Sequence, residues 1–391
     1  LGGTMTSAGV SFPGIFHAWG KQIIDGIGWE IVTRAVAESS GTPPDPDAPQ
    51  RKQWQQQARF NPAVYATLCD EAVLASGAEL QLHTMLAAAE YSAGIWNLKL
   101  CTKTGLVPVR GAVLIDATGD ANAVRIAGGD VCLPPEKQPA TLIVEASGYT
   151  MDTLDLAMIE RNARQAVEER RLRQTDFSWD TRPGKAKISA WLKSGGRNKG
   201  HISSKGASES TGKTDVELAA RRALMRVYRF LRTQPGLEKL RIDWMAPECG
   251  IRETAVIRGD ETVTLNDYTS GRFFPDALCY SYYPIDLHTI GGSGLDYRML
   301  EPGVLPTVPR GALLPAGLDN LIAAGRCISS DRLANSALRV QASCMATGQA
   351  AGALAACSVR TGDSPRNLPL EIVRAFLKEH GAIVPDKETA D

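Results

Sequence analysis

Two neighbouring stretches decide the fold of this chain: Leu321-Ile-Ala-Ala-Gly-Arg-Cys-Ile-Ser-Ser330 and Arg339-Val-Gln-Ala-Ser-Cys-Met-Ala-Thr-Gly-Gln-Ala-Ala-Gly352. The first predicts a short buried strand that runs into Gly325-Arg326. The second predicts a helix of small residues with Gly348 and Gly352 on one face, so that a flat ligand can approach closely. The free N–H groups of a helix's first turn, together with the helix dipole, favour negative charge. The two stretches therefore predict a site for a flat ligand with a negatively charged edge.

Three further segments accompany these two in a fixed order: Leu1-Gly-Gly-Thr-Met-Thr-Ser-Ala-Gly-Val10, Val113-Leu-Ile-Asp-Ala-Thr-Gly-Asp120 and Tyr283-Pro-Ile-Asp-Leu-His288. Their order and spacing resemble FAD-dependent oxidoreductases of the two-dinucleotide-binding-domain type, from residue 1 to about residue 380. The chain looks like the branch that includes fumarate-reductase-like flavoproteins and relatives of the flavin-binding component of heterodisulfide reductase. The resemblance implies an enzyme that binds FAD and transfers a hydride between a small organic substrate and N5 of the flavin.

The predicted fold class is α/β. The resemblance implies an FAD-binding Rossmann-like lobe, and the apolar periodicity predicts that residues 79–84, 86–91 and 95–101 form a three-stranded β-meander within it. Helices predicted near 151–173 and 215–232 indicate an inserted α+β cap or substrate lobe. The predicted domains are residues 1–130 for the first part of the FAD-binding lobe, 131–310 for the cap lobe and 311–391 for the C-terminal part of the FAD-binding lobe.

Local signals predict where some elements begin and end. Asn61-Pro62 is a helix cap followed by proline in the first turn, and Gly77 marks the end of that helix. Residues 111–115 predict a buried strand that delivers Ala117-Thr118-Gly119 at its carboxyl end.

The resemblance also implies a part that this sequence does not contain. The family opens with a strand, a G-x-G-x-x-G turn and a helix that hold the FAD pyrophosphate. The chain begins at Leu1, inside the segment that follows this unit in the family. We therefore expect that a βαβ unit of about 30 residues precedes it in a longer protein. The alternative function is a truncated, catalytically silent fragment that no longer binds FAD.

The resemblance assigns the cofactor contacts to four places in the chain. The N-terminal loop would donate hydrogen bonds, Ala117 to Gly119 would lie beside the phosphates and ribose, and Gly325-Arg326 would lie near the ribityl chain or pyrophosphate. The N–H groups near the start of the small-residue helix would face flavin N1 and O2. The residues concerned are Gly3, Thr4, Thr6, Ser7, Ala117, Thr118, Gly119, Gly325, Arg326, Met345, Ala346 and Gln349.

Each of these features has a simpler interpretation. A polar loop at a chain terminus is most often disordered. A lone Ala-Thr-Gly after a strand is most often an ordinary turn. A helix with Gly348 and Gly352 four residues apart can pack closely on a sheet without any ligand.

His288 is the predicted residue for proton transfer, with Asp286 two positions before it. An ordinary histidine pKa of about 6.5 suits proton transfer near neutral pH. Arg252 is predicted to bind a carboxylate or hydroxyl group of the substrate. The alternatives are a structural histidine bonded to backbone and an internal ion pair of Arg252 with Glu253 or Asp286. His17 is a weaker candidate for the proton-transfer role.

The charge of the chain argues against a general nucleic-acid binder, because 43 Lys plus Arg balance 43 Asp plus Glu. Between residues 161 and 240, however, the sequence contains 19 Lys and Arg but only 8 Asp and Glu. This excess is either a solvated helix surface or a basic cap that attracts an anionic small-molecule substrate.

The cysteine spacing predicts no metal site. No two of the 8 cysteines lie within four positions of each other, which excludes the short spacings of zinc sites and of iron–sulfur clusters. Scattered cysteines are typical of a reducing compartment, so a cytoplasmic location is expected. No run of roughly 18 apolar residues is present, so no membrane span is predicted.

Overall fold

The computed structural model describes residues 1–44 and 57–386. Helix α2 starts where the sequence predicts: the Asn61 side chain accepts a hydrogen bond from the Ala63 N–H at 2.8 Å, and Pro62 occupies the first turn. It ends just before Gly77, whose φ is 77°. The helices of the described residues are α1 Ile27–Glu38, α2 Pro62–Ala75, α3 Asn122–Ile126, α4 Leu156–Glu168, α5 Ile188–Ser194, α6 Ser210–Arg232, α7 Leu265–Ser270, α8 Arg332–Leu338, α9 Gln341–Thr361 and α10 Leu370–Glu379.

Two helices of the region after residue 150 differ from their predicted bounds. The predicted helix at 151–173 is a 3₁₀ turn, Met151–Thr153, followed by the shorter helix α4. The Asp155 carboxylate sets the start of α4, because it accepts a hydrogen bond from the Met158 N–H at 2.9 Å. Helix α6 begins five residues before the predicted position and ends as predicted, ahead of Gln234-Pro-Gly236.

One pair of parallel strands positions the site. In the β6–β15 pair, Leu114 lies opposite Leu321 and Asp116 opposite Ala323. The predicted strand at 111–115 is therefore shifted to 114–116. The strands of the described residues are β1 His17–Ala18, β2 Lys21–Gln22, β3 Met85–Ser92, β4 Ile95–Thr102, β5 Gly105–Gly111, β6 Leu114–Asp116, β7 Val131–Cys132, β8 Val144–Ser147, β9 Arg241–Met245, β10 Val256–Ile257, β11 Ala277–Tyr280, β12 Ile285–His288, β13 Leu295–Arg298, β14 Thr307–Pro309 and β15 Leu321–Ala323.

A three-stranded meander of β3, β4 and β5 is present, as the sequence predicts. Its first hairpin turns at Ala93-Gly94, both with positive φ, as in the type I′ turns that suit the twist of paired strands. The prediction of a strand at 79–84 was wrong, and the third strand is instead β5. Pro108 lies within β5, which the sheet tolerates because β5 is an edge strand.

The other strands form two-stranded antiparallel sheets: β1–β2, β7–β10, β8–β9, β11–β14 and β12–β13. The architecture is thus a mixed α/β structure of small sheets. One hydrophobic cluster lies within residues 144–240, while residues 263–308 share a cluster with the N-terminal and C-terminal segments.

No helix in the described part of the chain is long and apolar enough to cross a membrane.

Candidate active site

A cavity of about 860 Å³ opens at the carboxyl ends of β6 and β15. We call it the large cavity. Its walls include the N-terminal loop, the loops that follow the two strands, the first turns of α9, and parts of α1, α2 and α6. Thr6, Ala346 and Gln349 lie outside it. The other nine residues predicted to contact the cofactor line it: Gly3, Thr4, Ser7, Ala117, Thr118, Gly119, Gly325, Arg326 and Met345.

Asp116 holds the loop after β6 in place. Its side chain is fully buried. One oxygen accepts hydrogen bonds from the Thr118 N–H at 3.0 Å and the Thr118 hydroxyl at 2.6 Å, and the other accepts from the Val124 N–H at 3.0 Å. The carboxylate therefore joins the wall of the large cavity to α3. Gly119 follows with a φ of 73°, a conformation that glycine adopts without strain.

Arg326 joins the loops at the ends of β6 and β15. Its Nε donates to the Gly119 carbonyl at 2.9 Å, and one terminal nitrogen donates to the Ile251 carbonyl at 2.9 Å. The other terminal nitrogen donates to the Asp120 carboxylate at 2.5 Å. All three guanidinium nitrogens thus have protein acceptors. The Arg326 side chain therefore holds the loop after β6 and the segment at Ile251 against the loop after β15.

The N-terminal loop is ordered, unlike the disordered loop that is common at a chain terminus. Residues Gly3–Met5 form a 3₁₀ turn. The bonds that hold the loop are the Thr6 hydroxyl to the Leu1 carbonyl at 2.6 Å, the Ser7 hydroxyl to the Gly3 carbonyl at 3.0 Å, and the Gln341 amide to the Thr4 hydroxyl at 2.5 Å. Gln341 thereby connects the loop to the start of α9.

Helix α9 begins at Gln341, four residues before Met345, the first of its predicted flavin contacts. The Cys344 N–H already donates to the Val340 carbonyl at 3.0 Å. The N–H groups of Met345 and Ala346 therefore lie in the second turn, where helical N–H groups bond to carbonyls four residues earlier. These two N–H groups, predicted near the helix start, therefore lie one turn beyond the free N–H groups of α9. Met345 still lines the large cavity.

The glycine face of α9 is open. Gly348 and Gly352 are exposed, and a Cβ at either position would meet no atom within 4 Å. The alternative of close packing on a sheet is thus not what the structure contains. Gln349 binds other parts of the chain, because its amide oxygen accepts from the Ile27 N–H at 3.2 Å and its amide nitrogen donates to the His380 carbonyl at 2.8 Å.

Two thiols near the large cavity are Cys344, which is partly exposed, and Cys327, which is buried. Cys344 lines the cavity, and its thiol donates to the Arg339 carbonyl at 3.2 Å. Burial raises the pKa of Cys344 to about 11 and that of Cys327 to about 12. All 8 cysteines are free thiols.

A smaller cavity of about 120 Å³ holds the predicted catalytic residues His288, Asp286 and Arg252. We call it the histidine cavity. Arg339 lines both this cavity and the large cavity, as do Thr4, Ile251, Arg326 and Gln341. The two cavities therefore share a wall.

His288 is paired with a second histidine that the sequence did not reveal. The Nδ1 atom of His288 lies 3.1 Å from Nε2 of His201, and both side chains are buried. Nδ1 of His201 lies 3.2 Å from the Thr289 carbonyl, which can only accept. In the neutral pair, His201 therefore carries its proton on Nδ1, and its Nε2 accepts the Nδ1 proton of His288. This leaves a lone pair on Nε2 of His288.

Burial lowers the pKa of both histidines. With the charge of Arg252 as the next cause, it brings the pKa of His288 to about 4 and that of His201 to about 3. Both imidazoles are therefore neutral near pH 7. Nε2 of His288 lies 3.5 Å from the Asp286 carboxylate, which would stabilise a proton arriving there.

Two arginines accompany the histidine pair. Arg252 donates to the Pro139 carbonyl at 2.5 Å and to the Thr141 hydroxyl at 3.0 Å. Burial, then the charge of Arg339, lowers the pKa of Arg252 to about 9. Arg339 lies 3.5 Å from the Asp286 carboxylate, and its buried Nε has no hydrogen-bond partner in the described residues.

Neither of the two ion pairs considered for Arg252, with Glu253 or with Asp286, forms among the described residues. Glu253 pairs with Arg332 at 3.1 Å and not with Arg252. Burial alone would raise the pKa of Asp286, but a hydrogen bond from Nε2 of His288 in its protonated form, and then the charge of Arg339, outweigh burial and leave that pKa below its usual value.

His201 and Arg339 were missed as site residues for different reasons. His201 lies 87 residues from His288 in a Ser- and Lys-rich loop, and no local spacing connects the two. Arg339 stands directly before the small-residue helix, where its position could have been a signal. The weaker candidate, His17, packs edge-to-face on Trp29 at 5.2 Å and lines neither cavity.

The large cavity fits FAD in size and offers one unpartnered donor to it. Its volume lies within the range of about 300–1,000 Å³ that is usual for ligand sites. Its charged lining is balanced, with Lys213, Arg326 and Arg339 against Asp120, Glu209 and Glu248. Of the cations, the guanidinium of Arg339 suits a pyrophosphate, whereas Lys213 is paired with Glu217 and Glu248. The unpartnered Nε of Arg339 is a donor that a ligand could satisfy. Within residues 1–44 and 57–386, no group of three or more His, Cys, Asp or Glu could hold a metal ion.

Comparison with known proteins identifies the family. Among solved structures, OxyS anhydrotetracycline hydroxylase from Streptomyces rimosus matches 32% of this chain and 29% of its own chain, at 16% identity and a TM-score of 0.25. The p-nitrophenol 4-monooxygenase PnpA from Pseudomonas putida DLL-E4 matches 93% of this chain and 67% of its own, at 10% identity and a TM-score of 0.35. A search of curated proteins finds no match.

These TM-scores are low, so the assignment rests on the sequence. The family model described as FAD dependent oxidoreductase matches residues 1–377. The chain therefore belongs to the FAD-dependent oxidoreductase family.

Proposed function

We propose that this oxidoreductase transfers a hydride between a small anionic substrate and N5 of FAD, with His288 as the proton-transfer residue. One observation carries the proposal: the buried imidazole of His288, with its Nδ1 3.1 Å from Nε2 of His201, lies in a cavity that shares a wall with the large cavity. Bound FAD would supply the two-electron acceptor or donor.

In the oxidative direction, the C–H bond of the substrate breaks and its electron pair leaves with the hydrogen. The adjacent hydroxyl loses its proton to Nε2 of His288, so that a carbonyl forms. Asp286 stabilises the resulting imidazolium, and His201 holds the ring in the tautomer that leaves Nε2 free. In the reductive direction the same group returns the proton.

The two arginines support the anionic nature of the substrate. Three arginines, Arg252, Arg326 and Arg339, line the histidine cavity with the single carboxylate of Asp286. Arg326 is already paired with Asp120, which leaves Arg252 and Arg339 against Asp286. A carboxylate on the substrate would balance the remaining charge and accept hydrogen bonds from a guanidinium. Burial strengthens such a contact, because water competes less.

For FAD itself, we propose the nine residues that line the large cavity as its contacts, with Arg339 in addition. Thr6 and Ala346 stay predictions without support from their positions, and Gln349 is occupied elsewhere. We also propose that residues 131–310 include a cap lobe, centred on the hydrophobic cluster within residues 144–240. Membership of the fumarate-reductase-like branch remains part of the proposal.

The second candidate is a form that does not bind FAD. It is favoured by the size of the parallel sheet, because the described residues form only the β6–β15 pair, three residues in each strand. Titration of FAD into the 391-residue protein, followed by flavin fluorescence, separates the candidates. Saturable binding supports the enzyme, and no binding supports the silent form.

Replacing His288 tests the chemistry. We expect His288→Ala to slow flavin reduction by a working hydroxy-acid substrate about 10²-fold or more, the usual scale for a lost general base. Flavin content should stay near that of the wild type, because His288 does not line the large cavity. Anaerobic stopped-flow absorbance measures both quantities.

The exposed His83 provides the matched control: His83→Asn should reduce at the wild-type rate. His288→Gln, which retains a polar side chain of similar length, guards against loss of folding in the alanine variant. Wild-type rates in both His288 variants would refute the assignment.

A further inference from the structure

A third cavity, of about 790 Å³, lies beside the histidine cavity. Phe12 and Asn198 line both of them. We call it the aromatic cavity, because three aromatic side chains face it together with three cationic ones: Phe12, Trp179, Trp244, Arg59, Arg197 and Lys199. Nothing in the hydride-transfer proposal uses these residues.

Trp179 connects the aromatic cavity to the histidine pair. Its ring stacks on His201 at 5.8 Å and meets His288 edge-on at 5.3 Å. Its indole N–H is buried and has no acceptor in the described residues. A buried donor without an acceptor destabilises a folded protein, so it indicates a place where a ligand or water accepts.

The cations of the aromatic cavity have few protein partners. Arg197 reaches Glu145 only at 4.0 Å. Within the described ranges, Arg59 and Lys199 form no ion pair and instead lie over rings, with Arg59 at 5.6 Å from the Phe12 centroid and Lys199 at 5.7 Å from the Trp179 centroid. Three cations against the one carboxylate of Glu145 leave a positive cavity.

We propose that the aromatic cavity binds an aromatic carboxylate. Flat rings of Phe and Trp pack best against another ring, offset or edge-on, and guanidinium or ammonium groups bind the carboxylate. The ligand would lie against Trp244 and Trp179, with its charge toward Lys199 or Arg59. Its use as the oxidoreductase substrate rests on the proposed role of His288, whereas binding does not.

The test is isothermal titration of the full chain with three probes: 2-naphthoate, cyclohexanecarboxylate and 2-naphthalenemethanol. We expect 2-naphthoate to bind at least tenfold more tightly than the other two, which lack the aromatic ring or the charge. Trp244→Leu and Lys199→Gln should each weaken 2-naphthoate about tenfold or more. Lys193→Gln, an exposed lysine outside the lining, should leave its affinity unchanged.

Several outcomes would overturn the proposal: no binding of 2-naphthoate, equal binding of cyclohexanecarboxylate, tighter binding of a sugar acid such as glucuronate, or unchanged affinity in both variants. Circular dichroism identifies a variant that has lost its fold, and the other variant then decides. Because titration needs no turnover, binding of 2-naphthoate with an unchanged reduction rate in His288→Ala would refute only the catalytic role.

Discussion

The buried pair of His201 and His288 makes the free energy of unfolding depend on pH. In the folded state the two pKa values lie at about 3 and about 4, while in the unfolded chain both imidazoles titrate near 6.5. Below that pH the unfolded chain binds protons that the folded chain does not. Stability is therefore lost as the pH falls from 6.5 toward 4.

The size of the effect follows from these pKa values. Between pH 6 and pH 5, each histidine lowers the free energy of unfolding by about 1.2 kcal/mol, and the pair by about 2.4 kcal/mol. This is a large share of a typical stability of about 5–15 kcal/mol. Asp286 adds little in this window, because its pKa is lowered from 3.8 and titrates below it.

Urea unfolding at several pH values, followed by circular dichroism, measures the slope. We expect His201→Gln to remove about half of the acid loss, because the glutamine can donate to the Thr289 carbonyl and accept from His288 without titrating. His83→Asn, at an exposed position, is the matched control for replacing a histidine. Equal slopes in the wild type and in His201→Gln would refute the neutral, buried pair.

Two further changes test the walls of the large cavity. Asp116→Ala should destabilise the protein by about 3 kcal/mol or more, because three donors lose a buried carboxylate; thermal unfolding of this variant beside the exposed control Asp152→Ala measures it, and equal melting temperatures would contradict it. Gly348→Ala should stabilise the protein by about 0.5–1 kcal/mol, because a Cβ there meets open space in a helix. A lower melting temperature would mean that another surface covers this face.

Local chemistry predicted the parts of the fold that depend on neighbours in sequence. The Asn61-Pro62 start of α2 and the Ala93-Gly94 hairpin follow from capping and turn preferences. Strand β5 was not predicted because it contains Pro108. Proline is tolerated in a strand only at a sheet edge, and the sequence does not say which strand lies at the edge.

The candidate site was predicted in part for the same reason. Segments that follow strand ends, such as Ala117 to Gly119 and Gly325-Arg326, are brought together by one parallel pairing. The contact between His201 and His288 depends on how the region around residue 200 folds over β12, which no periodicity encodes. The start of α9 was misjudged because Gln341 to Ser343 carry no side-chain cap.

The distribution of thiols has a practical consequence for labelling. A thiol reacts as its thiolate, and burial keeps Cys344 and Cys327 protonated at neutral pH. Cys101 on β4 and Cys132 on β7 are exposed. An alkylating dye would therefore attach at the meander and at β7 before it modifies Cys344 or Cys327. The native chain thus carries two attachment points from which changes around the cavities can be followed without engineered cysteines.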